Sequence, residues 1–122
     1  MLKLKTRWFN KWANKNSVPD SILLITIDAI KENLNTANLG SGLYKIRVKT
    51  EEKGKSGGHR TLVAYKELDK AIFVYAFSKS DKSNLNKEEL KYFRKLAKDL
   101  LQIDKEEYGR QIELGHFFII KE

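Results

Sequence analysis

The sequence predicts a single small α+β domain spanning residues 1–122. Three observations carry that prediction. Leu43-Tyr44-Lys45-Ile46-Arg47-Val48 alternates with period two, putting Tyr44, Ile46 and Val48 on one face and Lys45, Arg47 and Lys49 on the other, as a half-buried strand requires. Ala71 to Phe77 is a near-continuous apolar run, the pattern of a central strand covered on both faces. Leu23, Ile27, Ile30 and Leu34 fall at helical spacing, and so do Leu90, Phe93, Ala97 and Leu100. A chain of this length buries about two-thirds of its unfolded surface, so it needs no staple; it contains no cysteine.

The remaining elements follow in order. Lys3 to Phe9 reads as an opening strand, with Leu4, Thr6 and Trp8 on one side, and Phe9 and Trp12 lead into a short helical turn. Ser17 is the expected N-cap of the next helix, with Pro19 in its first turn and Asp20 three residues after the cap; its apolar stripe ends near Asn35. Asn38-Leu39-Gly40-Ser41-Gly42 reads as a loop before the alternating strand. Thr61–Lys66 and Ala71–Ser78 are further strands, joined by a hairpin turn at Glu67-Leu68-Asp69-Lys70. Asn86 caps a long helix, with Glu89 completing a capping box. Lys105 to Glu113 reads as a helix broken near Gly109, and His116 to Ile120 as a closing strand.

The net charge is +8 and the pI about 9.6. Such an excess points to an anionic partner: nucleic acid, a ribosome, an anionic membrane or an acidic protein. The opening Met1-Leu2-Lys3-Leu4-Lys5 lacks the apolar run of a signal peptide, and no window approaches the ~20 apolar residues of a membrane span. With no cysteine present, a cytoplasmic location without membrane partners is expected. The charge is concentrated: seven cations against two acids lie between Leu43 and Lys66.

Within that segment Gly54-Lys55-Ser56-Gly57-Gly58-His59-Arg60 forms a glycine-rich cationic loop running into a strand. Glycines allow a tight turn and close approach to a ligand. An ATP-binding loop is excluded, because G-x-x-x-x-G-K-[ST] would need glycine at Lys49 and a helix after Ser56. Gripping a phosphodiester fits better. Metal-free cleavage of one needs a group to take the proton from the attacking hydroxyl, positive charge on the pentavalent oxyanion, and a proton for the leaving oxygen. Arg60 suits the charge role, since its planar fork matches phosphate oxygens and stays ionised. Lys55 and Arg47 add charge or hold neighbouring phosphates, with Lys45, Lys49, Lys53 and Lys82 as further RNA-binding candidates. Lys79 sits where the third strand ends, and antiparallel pairing brings it towards Arg60; crowding among cations can lower a lysine's pKa enough for it to act as an acid or base. His59 is the conventional acid–base candidate. His116 reads as structural, Tyr65, Tyr75 and Phe77 as core residues with stacking as the alternative, and Trp8 and Trp12 as core or interface. No Asp/Glu/His cluster has metal-ligand spacing, so no metal site is expected.

The chain resembles the RelE/HigB-type toxins of bacterial type II toxin–antitoxin modules, in particular those with a G-K-S-G-G-x-R-T-L loop. The resemblance runs from Lys5-Thr6-Arg7-Trp8-Phe9 and Trp12 through Leu39 to Val48, Lys53 to Tyr65, Phe73 to Phe77 and Glu89 to Leu101. It implies a twisted, mainly antiparallel sheet with helices packed on one face and a cationic RNA-binding surface on the other. It also implies a cofactor-free endoribonuclease that inhibits translation by cutting mRNA on the ribosome, with the RNA's own 2′-hydroxyl as nucleophile. The implied partners are mRNA, the ribosome and a cognate antitoxin of helix-turn-helix type with an acidic contact segment. Lys55, Arg60, Arg47 and Lys79 match basic positions of the family pattern, whereas His59 stands where relatives more often carry an aromatic residue. Two other functions remain compatible with the same residues: a ParE-like inhibitor of DNA gyrase, and a non-catalytic nucleic-acid-binding module.

Overall fold

The computed structural model describes residues 1–48, 58–78 and 84–122. In chain order its elements are β1 (Leu2–Thr6), α1 (Arg7–Lys15), α2 (Asp20–Lys31), β2 (Thr36–Gly40), β3 (Leu43–Val48), β4 (His59–Lys66), β5 (Lys70–Ser78), α3 (Lys87–Gln102), α4 (Lys105–Glu113) and β6 (Phe117–Ile119). The strands form one sheet in the order β2-β3-β4-β5-β1-β6. Only β1 and β5 pair in parallel, from Leu2 opposite Lys70 to Lys5 opposite Phe73; the other described pairs are antiparallel. The expected α+β class with a mainly antiparallel sheet is therefore what the chain adopts.

The expectation that the helices share one face needs correction: they divide between both. Phe9 and Ala13 of α1 and Leu23, Ile27 and Ile30 of α2 pack on Ile46, Val48, Val63, Tyr65, Ala71 and Phe73. Phe93, Ala97 and Leu100 of α3 and Tyr108 of α4 pack on the opposite side of the same strands, on Leu43, Leu62, Ala64, Ile72 and Val74. The cause is in β4 and β5. Leu62-Val63-Ala64 and Ala71-Ile72-Phe73-Val74 are apolar at consecutive positions, so each face needs its own cover.

Local chemistry moved several boundaries. β1 stops at Thr6, because the Thr6 hydroxyl accepts the Phe9 N–H at 3.1 Å and caps α1. Trp8 is thereby a helical residue and not a strand residue. Ser17 is not a cap; it adopts φ +56°, and α2 follows Pro19 without a side-chain cap. α2 ends at Lys31, where Asn33 and Asn35 turn through positive φ, leaving Leu34 half exposed. The segment read as a loop, Asn38 to Gly42, holds the end of β2, an edge strand recruited by β3 through a turn in which Gly40, Ser41 and Gly42 all have positive φ. α4 runs through Gly109 unbroken. The capping box is as expected: Asn86 Oδ1 accepts the Glu89 N–H at 2.8 Å and Glu89 Oε1 accepts the Asn86 N–H at 2.9 Å.

At its other end α3 is held by two buried side chains. Lys70 Nζ donates to the Ile103 and Leu101 carbonyls at 2.7 and 3.4 Å, and the Tyr108 hydroxyl donates to the Leu100 carbonyl at 2.6 Å. These satisfy carbonyls that a helix terminus leaves without intrahelical partners. Burial pushes the Tyr108 hydroxyl's pKa far above its ordinary value, so it remains a donor.

Candidate nucleic-acid interface

The register of β3 against β4 sets Arg47 opposite Arg60, Lys45 opposite Leu62 and Leu43 opposite Ala64. Directly opposed side chains project from the same face. Leu43, Leu62 and Ala64 lie in the core beneath α3, so Lys45, Arg47 and Arg60 belong to that face too. Towards their end of the strands the cover thins: Lys45 and Arg60 are half-buried and Arg47 is exposed. Lys45 Nζ donates to Asn84 Oδ1 at 3.2 Å, just ahead of α3.

Arg47 and Arg60 occupy directly opposed strand positions, where like charges are unfavourable. Arg60 carries a second cost, because its Nη1 is buried and finds no hydrogen-bond partner among the described residues. An anion placed between the two arginines would offset both. Gly58 helps to shape this place. It adopts φ +91°, and a Cβ there would lie 3.0 Å from the Val48 carbonyl oxygen and 3.1 Å from Arg47 Nε.

The candidate residues do not all converge. His59 precedes Arg60 on β4, pairs with Val48 and Ser78, and so points to the opposite face. There its ring meets Trp12 edge-on, with centroids 4.9 Å apart. Lys49, Lys53, Lys55, Lys79 and Lys82 lie outside the described residues. His116 precedes the edge strand β6, with β5 and β1 between it and β4, and its Nδ1 is 2.6 Å from Gln111 Oε1.

Aromatic residues flank the basic strip. Phe77 lies opposite Arg60 and Tyr75 opposite Leu62. Phe77 is buried, as expected for core, but Tyr75 is only half-buried. Tyr75 stacks on Phe93 of α3 and on Trp8 of α1, with centroids 4.8 Å apart in both cases. Trp8 is 46% exposed, which removes the core alternative and leaves the interface one, and it lies on α1 rather than on a strand. The available signal was the Thr6 cap, which ends the strand before Trp8.

Among the described residues no group of three His, Cys, Asp or Glu side chains converges where it could hold a metal ion, and no helix is long and apolar enough to cross a membrane. A family model described as the RelE toxin of the RelE / RelB toxin-antitoxin system matches residues 1–120. No curated protein matches the chain.

Proposed function

The chain belongs to the RelE toxin family and is thus a toxin with a cognate antitoxin; from that premise we propose that it is a metal-independent endoribonuclease that cuts mRNA on the translating ribosome. The observation that carries this reading is the opposed Arg47–Arg60 pair, with a buried Arg60 nitrogen that has no acceptor among the described residues. Such an arrangement is costly to the free protein and favourable once a phosphate sits against it.

In this reading the RNA lies along β3 and β4 on the α3 face. The 2′-hydroxyl attacks the adjoining phosphorus, the bond to the 5′-oxygen breaks, and a cyclic phosphate and a 5′-hydroxyl result. Arg60 stabilises the charge that builds on the phosphoryl oxygens. Arg47 and Lys45 hold neighbouring phosphates, and Lys55, Lys49, Lys53 and Lys82 extend the cationic surface. Lys79 moves protons: it directly follows Ser78, whose partner His59 is the neighbour of Arg60. His59 points to the other face, which favours Lys79 over it for this role. The antitoxin, a helix-turn-helix protein, covers the strip with an acidic segment, and the toxin works in the cytoplasm, where its substrate is.

The test is translation in a purified reconstituted system with added protein, followed by primer extension on the mRNA. Cuts that require translating ribosomes are expected. Arg60→Ala should reduce them by at least ~100-fold, the usual loss on removing one oxyanion-stabilising donor, while the Tm stays unchanged or rises. Loss of activity only through unfolding would count against the role of Arg60. Intact mRNA with unimpaired translation would sink the ribonuclease and direct attention to gyrase supercoiling assays.

A further inference from the structure

On the α3 face, Phe93, Tyr75 and Trp8 stack in succession. Each step is 4.8 Å between centroids, with planes inclined by 30° and 29°. Tyr92 closes the Phe93 end of this column edge-on, at 5.0 Å. Exposure rises along it, from buried Phe93 through half-buried Tyr75 to Trp8 at 46%. One face of the indole lies on Tyr75, and Trp8 makes no second ring contact among the described residues. The column therefore ends in a flat aromatic surface with room for one more layer.

The surroundings of that surface are cationic. Arg7 precedes Trp8, and Lys11 and Lys15 follow by three and seven residues, one and two turns along α1 on the same side. All three are exposed, none forms an ion pair with a described residue, and α1 contains no acid. The column also adjoins the basic strip: Tyr75 neighbours Phe77 with centroids 6.1 Å apart, and Phe77 lies opposite Arg60.

We infer that Trp8 is a stacking platform for one nucleobase of the bound RNA, with Arg7 and Lys11 taking the phosphates on either side of that base. The inference rests on the proposal that the α3 face binds RNA, and adds to it a base-holding position on α1. An aromatic face accepts any base and makes little use of an acidic peptide, whereas flanking cations alone would suit either. The combination favours single-stranded RNA over an antitoxin segment.

The test uses the full chain carrying Trp12→Phe, which leaves Trp8 as the single tryptophan. Two uncleavable probes are titrated: a 2′-O-methyl RNA hexamer, and an abasic oligonucleotide of equal length and charge. Saturable quenching of Trp8 emission by the hexamer is expected, with little quenching by the abasic probe at equal occupancy. In the otherwise native chain, Trp8→Ala should weaken hexamer binding roughly 5- to 150-fold without altering abasic binding, and Trp8→Phe should restore most of the loss. Equal weakening for both probes, or hexamer binding that leaves Trp8 emission unchanged, overturns the platform while leaving RNA binding in place. Binding of neither probe overturns the RNA surface and the platform together. Quenching by a poly-glutamate peptide in place of the hexamer reassigns the surface to an acidic partner and likewise overturns it. Should Trp8→Ala fail to fold, the quenching comparison decides alone.

Discussion

Gly58 sits where an added methyl group would meet both the Val48 carbonyl and the Arg47 guanidinium. Gly58→Ala would place a side chain at φ +91°, a strain of about 1–3 kcal/mol, and would displace Arg47. A lower Tm is expected, together with a shallower salt dependence of RNA binding by about one phosphate contact. A variant with native Tm and native salt slope would remove Gly58 from the site. The loop residues 54–57 lie outside the described residues, whereas the place of Arg47 on an alternating strand was legible in the sequence. The separation of His59 from Arg60 was not, although it needs only strand alternation. A strand expected from Thr61 onward leaves His59 in a turn, and a turn residue carries no face. Strand alternation extended from Thr6 to Trp8 fails for the opposite reason, because Thr6 already caps a helix.

Among the elements, α3 matters most to the site, because it supplies Phe93 to the aromatic column and packs across β3 and β4. Its C-terminus is secured by Lys70 and Tyr108. Tyr108→Phe keeps the ring and removes the bond to the Leu100 carbonyl. It should cost about 1 kcal/mol, a few degrees of Tm at this chain length, which a thermal melt would detect; an unchanged Tm would mean that the hydroxyl contributes nothing net. The helix start was legible, since Asn86 and Glu89 satisfy each other within one turn. Its end was not. Lys70 looks like a turn residue in sequence, and only the tertiary arrangement carries its ammonium under Tyr108, with Nζ 5.5 Å from the ring centroid. β2 was missed for a related reason: Thr-Ala-Asn-Leu-Gly has little strand propensity of its own and is extended because β3 pairs with it.

At the scale of the whole molecule, Asp20 ties three distant parts together. Its carboxylate accepts Lys5 Nζ of β1 and the Lys121 N–H beyond β6, each at 2.8 Å, from the first turn of α2. Burial alone would raise its pKa, but the bonds from Lys121 and Lys5 and their charges outweigh burial and hold it below the ordinary value. With the folded pKa below the unfolded value of about 3.9, the stabilisation is complete at neutral pH and is lost as the pH falls below about 4, through the folded value. Asp20→Asn should therefore lower the urea midpoint at pH 7, and the gap to the native chain should close towards pH 3. A gap of constant size across that range would rule out the linkage. Composition and periodicity made a basic α+β fold legible, because charge and pattern are summed over many residues. The apolar run Ala71 to Phe77 does predict a strand covered on both faces, and helices on the two sides supply that cover.

The position of β1 has a consequence for timing. It precedes both of its neighbours by a long stretch of chain, since β5 begins at Lys70 and β6 at Phe117. The β3–β4–β5 meander, with Arg47 and Arg60, is built from sequence neighbours, and such contacts form early. The strand that seats α1 and Trp8 pairs instead with chain made much later. The arginine pair can thus be in place before α1 comes to rest beside it.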